Sequence, residues 1–183
     1  AIGDIHGCVH TLKDLLNRVS YSSQTDTLVF IGDYIDRGYF SYEVVDMLIK
    51  LQQQVGKDKV VCLRGNHEQM AIDAYRHGNY PLWYRNGGRS TEYSFEKNGQ
   101  DLANAISWFE TLPLVYDTPE IIFCHAGLSY PCCKITARKI FCGDATGFGR
   151  IRKSERNRLY LVIRQEAEEE PIRFQLATSV SMP

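Results

Sequence analysis

The sequence predicts an α/β fold in which helices flank a central, largely parallel β-sheet. Four short apolar runs, rich in β-branched residues, each end in glycine or polar residues, as buried strands do. Patterns typical of amphipathic helices fill the gaps between these runs. The resulting order of strand, helix, strand, helix, strand favours right-handed βαβ crossovers, which produce parallel sheets.

The four predicted strands are continuous apolar runs, which is typical of strands covered on both faces. They are AIGD at residues 1–4, TLVFIGD ending at Asp33, KVVCLRGN ending at Asn66, and EIIFCHAG, in which His125 ends the apolar part. Cys62 and Cys124 lie within these runs, where cysteine behaves as a small buried hydrophobe.

Helices are predicted at residues 10–19, 41–54, 69–77 and 101–112. Ser41 is a candidate N-cap, because its hydroxyl can accept a hydrogen bond from a free backbone N–H of the first turn. The segment YPLWYRNGGR at residues 80–89 has two interpretations. It forms a wall over a site, with Arg85 or Arg89 near a phosphate, or a turn at a helix end with Trp83 in the core.

Size and charge indicate one globular domain, with room for a small extension. The chain has 183 residues and a net charge of −1, which gives no global basic field for nucleic acid or an anionic membrane. No apolar run approaches the roughly 18 residues of a membrane span, and no signal peptide is visible. The six cysteines form no C-x-x-C pattern and are interpreted as reduced thiols of a cytoplasmic protein. Because residue 1 is Ala rather than Met and the first motif begins at once, the position of the true N terminus is left undecided.

Each predicted strand ends in a group that can bind a metal ion or carry a proton. These groups are Asp4 and His6, then Asp33, then Asn66 and His67, then His125. Ligands of open α/β sheets collect outside the carboxyl ends of the strands. We therefore expect these side chains to meet at one edge of the sheet.

The first motif is GDIHG, residues 3–7, in which Asp4 and His6 are two positions apart just after a strand. Residues two apart in extended backbone point to the same side. A carboxylate and an imidazole are thus predicted to converge on one point, as a metal ion requires. The alternative is a surface turn with incidental polar groups.

The second motif is GDYIDRG, residues 32–38. Asp33 lies at the strand end, where its carboxylate is free to bridge two ions. Asp36 is predicted to orient a nearby imidazole, and the planar guanidinium of Arg37 suits phosphate oxygens. The alternative is a weak surface ion pair between Asp36 and Arg37.

The third motif is GNHE, residues 65–68. Asn66 offers an amide oxygen, which is a neutral metal ligand. His67 is adjacent and should point elsewhere, which favours proton transfer to a leaving alkoxide over binding of the same metal. The alternative for His67 is a hydrogen-bonded structural role. Glu68 is interpreted as structural, because a carboxylate is favourable at a helix start.

The motifs GDIHG, GDYIDRG, GNHE and CHAG, in this order at four predicted strand ends, resemble the calcineurin-like metallophosphoesterase superfamily. Within it they are similar to the serine/threonine protein phosphatase branch, especially its compact bacterial and phage members. The resemblance covers about residues 1–131. It implies the metallophosphoesterase fold, a mixed, largely parallel β-sandwich flanked by helices, here incomplete at the C terminus.

The resemblance also implies an activity, which is metal-dependent hydrolysis of phosphoserine and phosphothreonine in proteins by direct attack of a metal-bound hydroxide. His67, supported by Asp36, would be the general acid, and Arg37 would hold the phosphate. Two divalent ions are implied, with manganese expected and iron or zinc as alternatives. The implied ligands are Asp4 and His6 for the first ion, Asp33 as the bridge, and Asn66 and His125 for the second.

The tail after residue 131 departs from the family pattern. The family supplies a further metal-binding histidine in a Gly-His-Thr-type segment, but no histidine follows His125 here. Three explanations are open, namely a frameshifted reading, a natural truncation or divergence, and replacement of the lost ligand, for example by Asp144. The abrupt end of the match favours the frameshifted reading. We therefore divide the chain into a core at 1–131 and a divergent, frameshifted or poorly ordered tail at 132–183, with candidate strands at 159–163 and 171–177.

Two other functions stay open. One is hydrolysis of dinucleoside polyphosphates, a neighbouring branch that shares the first motif. The other is a catalytically impaired binding protein whose second metal site lacks a ligand. The expected partner is a phosphoprotein or phosphopeptide substrate, without nucleic acid or membrane, and the oligomeric state is open.

Overall fold

The computed structural model describes residues 1–119 and 121–126, together with the backbone of residues 139–142. The predicted α/β fold is confirmed, with helices around small, partly parallel sheets. The elements in chain order are α1 (Val9–Arg18), β1 (Leu28–Phe30), α2 (Ser41–Val55), β2 (Val60–Cys62), α3 (Asn66–His77), α4 (Tyr80–Arg85), α5 (Gly88–Lys97), α6 (Leu102–Thr111), β3 (Val115–Asp117), β4 (Ile121–Cys124) and β5 (Lys139–Cys142).

The described strands form two sheets. β1 and β2 pair in parallel, as the predicted crossover through α2 requires, and Ile2 adds an isolated parallel bridge to Phe30. The first predicted strand is therefore reduced to a single bridge. In the second sheet β4 lies between antiparallel β3 and parallel β5. The strands β3 and β5 were not predicted from the sequence.

The sheet of β1 and β2 is buried on both faces, which explains its continuous apolar runs. Alternate side chains along each strand point to opposite faces. The face that packs on the helices carries Leu28, Phe30, Val60 and Cys62. The opposite face packs on the second sheet through Val29, Ile31, Val61, Leu63, Ile121 and Phe123. The two sheets therefore form a small sandwich with helices on its outer side.

The four predicted helices are present as α1, α2, α3 and α6, with ends shifted by a few residues. The prediction for Ser41 was wrong, because Phe40 is the N-cap and Ser41 is the first residue of α2. The Ser41 hydroxyl instead accepts a hydrogen bond from the backbone N–H of Asp36 at 3.2 Å. Helices α4 and α5 were missed, since α4 is six residues long and two glycines separate it from the rest of α5.

Most of the predicted tail lies outside the described residues, including the candidate strands at 159–163 and 171–177 and Asp144. Its described part is the backbone of β5, which continues the second sheet beside β4. Within the described ranges, no helix is long and apolar enough to cross a membrane.

Candidate metal centre

Loops that follow the strands meet at one edge of the sandwich, as predicted. The backbone N–H of His6 donates to the carbonyl of Asp33 at 2.9 Å. The N–H of Gly38 donates to the carbonyl of His6 at 3.1 Å, and a side chain at Gly38 would collide with that oxygen. His125, at the end of β4, donates from Nδ1 to the carbonyl of Ile31 at 3.0 Å.

The site loops hold strained backbone. Every non-glycine residue with positive φ in the described part of the chain lies here, namely His6 (44°), Asp33 (54°), Asp36 (70°) and Arg37 (64°). Such a left-handed conformation costs about 1–2 kcal/mol per residue. Strain of this kind persists where surrounding contacts enforce a functional geometry. The expectation of extended backbone between Asp4 and His6 was wrong, because His6 lies in a turn.

The first cluster of possible metal ligands is His6, Asp33 and His67, whose ligand atoms all lie within 4.8 Å of one another. His6 donates from Nδ1 to the carbonyl of Ile35 at 2.8 Å, which leaves a lone pair on Nε2. That Nε2 lies 3.7 Å from Asp33 Oδ2. It is buried and has no hydrogen-bond partner among the described residues. A buried, unpartnered lone pair beside a carboxylate is what a bound cation would satisfy.

The second cluster is Asp4, Asp33 and His125. His125 Nε2 lies 2.8 Å from Asn66 Oδ1 and 3.4 Å from Asp33 Oδ1. In the neutral imidazole, with Nδ1–H donated to the backbone, these three atoms are all acceptors and need a proton or a cation between them. The two oxygens of Asp33 thus face different clusters, an arrangement that a bridging carboxylate can adopt.

The structure groups the predicted ligands differently from the sequence analysis. Asp4 lies in the cluster with His125, whereas His6 lies in the cluster with His67. The turn at His6 is the reason, since it removes the extended geometry that would have aimed both side chains at one point. All five predicted ligands nevertheless reach the same edge, and their mixture of imidazole and oxygen atoms fits divalent metal ions.

Burial and Asp33 set the charge of these clusters in the metal-free protein. Burial lowers the pKa of His125, but the hydrogen bond and negative charge of Asp33 outweigh it and raise this pKa to about 9. Burial, and then the charge of Asp33, raise the pKa of Asp4 to about 6. Burial lowers the pKa of His6 to about 4, so the His6 imidazole is neutral at neutral pH. The second cluster therefore holds a proton on His125 that a metal ion must displace.

Metal binding at the second cluster is expected to release this proton. Below the His125 pKa of about 9, the metal affinity should rise about tenfold per pH unit, because only the neutral imidazole binds. In the metal-free protein the raised pKa has the corresponding effect on the fold. The stability contributed by charged His125 is complete below pH 6.5 and is lost as the pH rises through about 9.

Competition with a chelator between pH 6 and 9 would measure this dependence. The matched control is His77→Gln, since His77 is exposed at the end of α3 and should leave the pH profile unchanged. His125→Gln should flatten it. An affinity that is independent of pH in the unaltered protein would contradict the protonation of His125.

His67, a member of the first cluster, is oriented by Asp36. Its Nδ1 donates to Asp36 Oδ2 at 2.7 Å, which is the contact predicted for this pair. Its Nε2 accepts from Nη2 of Arg37 at 3.3 Å. The amide oxygen of Asn66 faces His125 instead, so the neighbouring side chains of Asn66 and His67 diverge as predicted.

Two further partners of Asp36 were not predicted from the sequence. Trp83 donates from Nε1 to both carboxylate oxygens at 3.0 Å, and Thr91 donates to Oδ1 at 2.7 Å. Trp83 is fully buried, as one interpretation of its segment expected. These partners lie 47 and 55 residues from Asp36 in the chain, where no local pattern connects them.

The two arginines of the same segment are tied to their own helices. The Nε of Arg85 donates to the carbonyl of Pro81 at 3.2 Å. The guanidinium of Arg89 lies 4.5 Å over the ring of Tyr84. The proposed role of Arg85 or Arg89 near a phosphate stays a prediction. The exposed Arg37 lies directly beside His67.

Glu68 joins two of the site loops. Its buried carboxylate accepts the backbone N–H groups of Asp33 at 2.8 Å, Tyr34 at 2.8 Å and Gly65 at 2.9 Å. The structural interpretation of Glu68 agrees with these contacts. The structural role of Glu68 is more specific than a favourable interaction with the helix dipole, because Glu68 holds Asp33 in place from the start of α3.

Glu68→Gln is expected to lower the free energy of unfolding by about 2 kcal/mol, since an amide NH₂ would face at least one buried backbone N–H. Urea denaturation of the metal-free protein would measure the loss. Glu110→Gln is the matched control, because Glu110 forms an exposed ion pair with Arg76 and should change stability little. Equal urea midpoints for Glu68→Gln and Glu110→Gln would contradict the role of Glu68 in holding the two site loops together.

Known proteins provide an independent comparison. A family model described as calcineurin-like phosphoesterase matches residues 1–179, which is further than the sequence resemblance to residue 131. The serine/threonine-protein phosphatase 2 of Salmonella typhimurium is 31% identical over 134 residues, which are 71% of this chain and 57% of the relative.

Two solved structures are similar in fold. A candidate diadenosine tetraphosphatase is 28% identical, with a TM-score of 0.51 over 73% of this chain and 52% of its own. A protein serine/threonine phosphatase from Saccharomyces cerevisiae is 23% identical, with a TM-score of 0.54 over 70% of this chain and 38% of its own. The chain thus spans between 38% and 57% of the length of these three proteins.

Proposed function

This chain belongs to the calcineurin-like phosphoesterase family, and from that membership we propose that it is a metal-dependent phosphomonoesterase acting on phosphoserine or phosphothreonine in proteins. The observation that carries the proposal is the position of His67. Its imidazole is held by Asp36 at 2.7 Å, faces the ligand cluster of His6 and Asp33, and borders the exposed Arg37. A proton donor, a phosphate-binding cation and a metal centre therefore adjoin one another.

The metal centre would be formed by the two clusters that share Asp33. When bound, two divalent ions would neutralise the phosphate charge and supply a nucleophile from water at neutral pH. We propose manganese, which suits a mixture of imidazole and oxygen ligands, as do iron and zinc. The proposed ligands are Asp4, His6, Asp33, Asn66 and His125.

Arg37 would orient the phosphate. Its guanidinium offers planar, paired N–H groups to phosphate oxygens. Because Nη2 lies 3.3 Å from His67 Nε2, a phosphate held by Arg37 would have its ester oxygen within reach of the imidazole. Positioning of this kind provides much of the rate enhancement in phosphoryl transfer.

His67 would protonate the leaving group. In its charged form, Nε2–H would give its proton to the ester oxygen as the phosphorus–oxygen bond to serine or threonine breaks. The products are an alcohol and inorganic phosphate, and His67 is left neutral. The hydrogen bond to Asp36 would keep Nε2 directed at the substrate.

A second candidate function is hydrolysis of dinucleoside polyphosphates. It is supported by the similarity to the candidate diadenosine tetraphosphatase, at 28% identity. The two functions use the same centre but differ in the leaving group, which is an alkoxide in one case and a phosphate in the other. Departure of the more basic alkoxide depends more strongly on a proton donor than departure of the phosphate does.

The deciding experiment compares a phosphoserine peptide with diadenosine tetraphosphate, each with manganese and after chelation. We expect metal-dependent phosphate release from the peptide at the higher kcat/KM. Preferred cleavage of the tetraphosphate would establish the second function instead. Binding of the peptide without phosphate release would identify an impaired binding protein.

The remaining proposals concern the setting of the protein. We propose a cytoplasmic location, which is supported by the free thiols of Cys8 and Cys62. A phosphoprotein or phosphopeptide is the proposed partner. The division into a core at 1–131 and a divergent tail at 132–183 is retained as a proposal.

A further inference from the structure

We propose that Trp83 and Thr91 are positioning residues that fix the carboxylate of Asp36 and, through it, the proton-donating imidazole of His67. The inference rests on the proposed function, since it requires His67 to be the general acid. It assigns a role in the reaction to the helices α4 and α5, which carry no predicted metal ligand or catalytic residue.

The carboxylate of Asp36 is held by hydrogen bonds from side chains of α4 and α5. A carboxyl group rotates over a broad torsion range unless its oxygens are held. Here Trp83 donates to both oxygens at 3.0 Å, and Thr91 donates to Oδ1 at 2.7 Å. Oδ2 is thereby directed at His67 Nδ1, 2.7 Å away. All of these groups are buried, so water does not replace a lost donor.

Thr91 holds Asp36 at two points. Its hydroxyl oxygen also accepts the backbone N–H of Asp36 at 2.9 Å. Asp36 has a φ of 70°, which is a strained conformation for a residue other than glycine. One hydroxyl group thus stabilises the unusual backbone of Asp36 and sets the plane of its carboxylate.

The indole of Trp83 is itself held in a single orientation. The ring of Tyr84 stacks on it with centroids 5.9 Å apart. Gly88 also lies against the indole, because an added Cβ would approach its ring atoms to between 2.5 and 2.7 Å. The indole N–H therefore has a defined direction, and that direction is toward Asp36.

A residue that only fills the core would affect all substrates alike. A residue that positions a general acid affects a substrate according to how much its leaving group needs a proton. p-Nitrophenolate leaves readily without one, whereas the alkoxide of phosphoserine does not. A variant that lowers kcat more for the phosphoserine peptide than for p-nitrophenyl phosphate has therefore lost the positioning of the acid. A variant that lowers both values equally has lost only core packing.

The experiment measures kcat and KM of the manganese-loaded protein with p-nitrophenyl phosphate and with a phosphoserine peptide. Trp83→Phe and Thr91→Val should each lower kcat for the peptide about tenfold and for p-nitrophenyl phosphate less than about twofold. KM should stay unchanged, because Arg37 is untouched. Thr91→Ser retains the hydroxyl and should restore the peptide rate.

The matched control is Trp108→Phe, which removes an indole N–H that donates to Gln52 Oε1 at 3.2 Å in the helical core. It should change neither rate. A second measurement uses the metal-free protein, in which the two indole N–H resonances are assigned from the two tryptophan variants. The Trp83 resonance should shift in Thr91→Val and His67→Asn, while that of Trp108 should not.

Two outcomes would overturn the inference and are distinguishable. If His67→Asn lowers the peptide rate selectively but Trp83→Phe and Thr91→Val lower both rates equally, the positioning role is wrong and the proposed function stands. If His67→Asn itself shows no dependence on the leaving group, His67 is not the acid, and the inference fails with it. Should Trp83→Phe not fold, the comparison of Thr91→Val with Thr91→Ser decides.

Discussion

Replacing Asp33 by asparagine is expected to abolish hydrolysis and to remove both metal ions. Asp33 is the member shared by the two ligand clusters, with Oδ2 3.7 Å from His6 Nε2 and Oδ1 3.4 Å from His125 Nε2. Loss of its charge weakens both sites together. Metal ions provide several kcal/mol of transition-state stabilisation, so kcat/KM should fall by about a thousandfold or more.

Asparagine is chosen because it tolerates the left-handed backbone that Asp33 adopts, with a φ of 54°. It also retains an oxygen that can accept the backbone N–H of His67, which Asp33 Oδ1 does at 3.1 Å. The fold should therefore survive, and circular dichroism would check this. Metal content per chain after manganese loading and dialysis measures the effect.

The matched control is Asp46→Asn on α2, where Asp46 pairs with Lys50 at a partly exposed position. That variant should retain two ions and full activity. Retention of one tightly held ion in Asp33→Asn would show that the sites are separate and that Asp33 does not bridge them.

The second large effect is expected for His67→Asn, which should lower kcat for a phosphoserine peptide by about 10²–10⁴-fold while the metal content stays the same. The reason is that His67 is held by Asp36 on one nitrogen and faces Arg37 with the other. A nitrogen that already faces a guanidinium is poorly placed to bind a metal cation. The substitution would thus remove the proposed proton donor rather than a metal ligand.

Metal analysis gives this prediction its sharpest test, because His67 also lies within 4.8 Å of the ligand atoms of His6 and Asp33. A loss of one ion in His67→Asn would reassign His67 as a ligand. Full activity with both ions bound would remove it from the mechanism. His77→Asn is the control, since His77 lies on the same helix but is exposed at its far end.

Much of the architecture could be predicted from local sequence. The continuous apolar runs that contain β1 and β2 indicated strands buried on two faces, and the two hydrophobic clusters on either side of their sheet confirm this. The position of polar residues at strand ends indicated one shared edge. These predictions depend on composition and on the spacing of apolar residues within a window of about ten residues. Hydrophobic periodicity is informative over windows of roughly this length.

Local backbone geometry was harder to predict. His6 and Asp33 adopt positive φ, although neither is glycine. The contacts that enforce these conformations come from other parts of the chain, such as the hydrogen bond from the N–H of Asp33 to Glu68 on α3. The grouping of Asp4 with His125, and of His6 with His67, followed from that geometry and not from sequence spacing.

The sequence by itself determined the residue types of this site and their arrangement along four strand ends, because strand periodicity and the residues that end a strand are local properties of the chain. Only the tertiary structure decided which side chains face one another. Trp83 and Thr91 reach Asp36 across 47 and 55 residues, and Asp33 turns one oxygen to each ligand cluster. Such contacts depend on how buried donors and acceptors are satisfied once the elements pack, which spacing in the sequence does not specify.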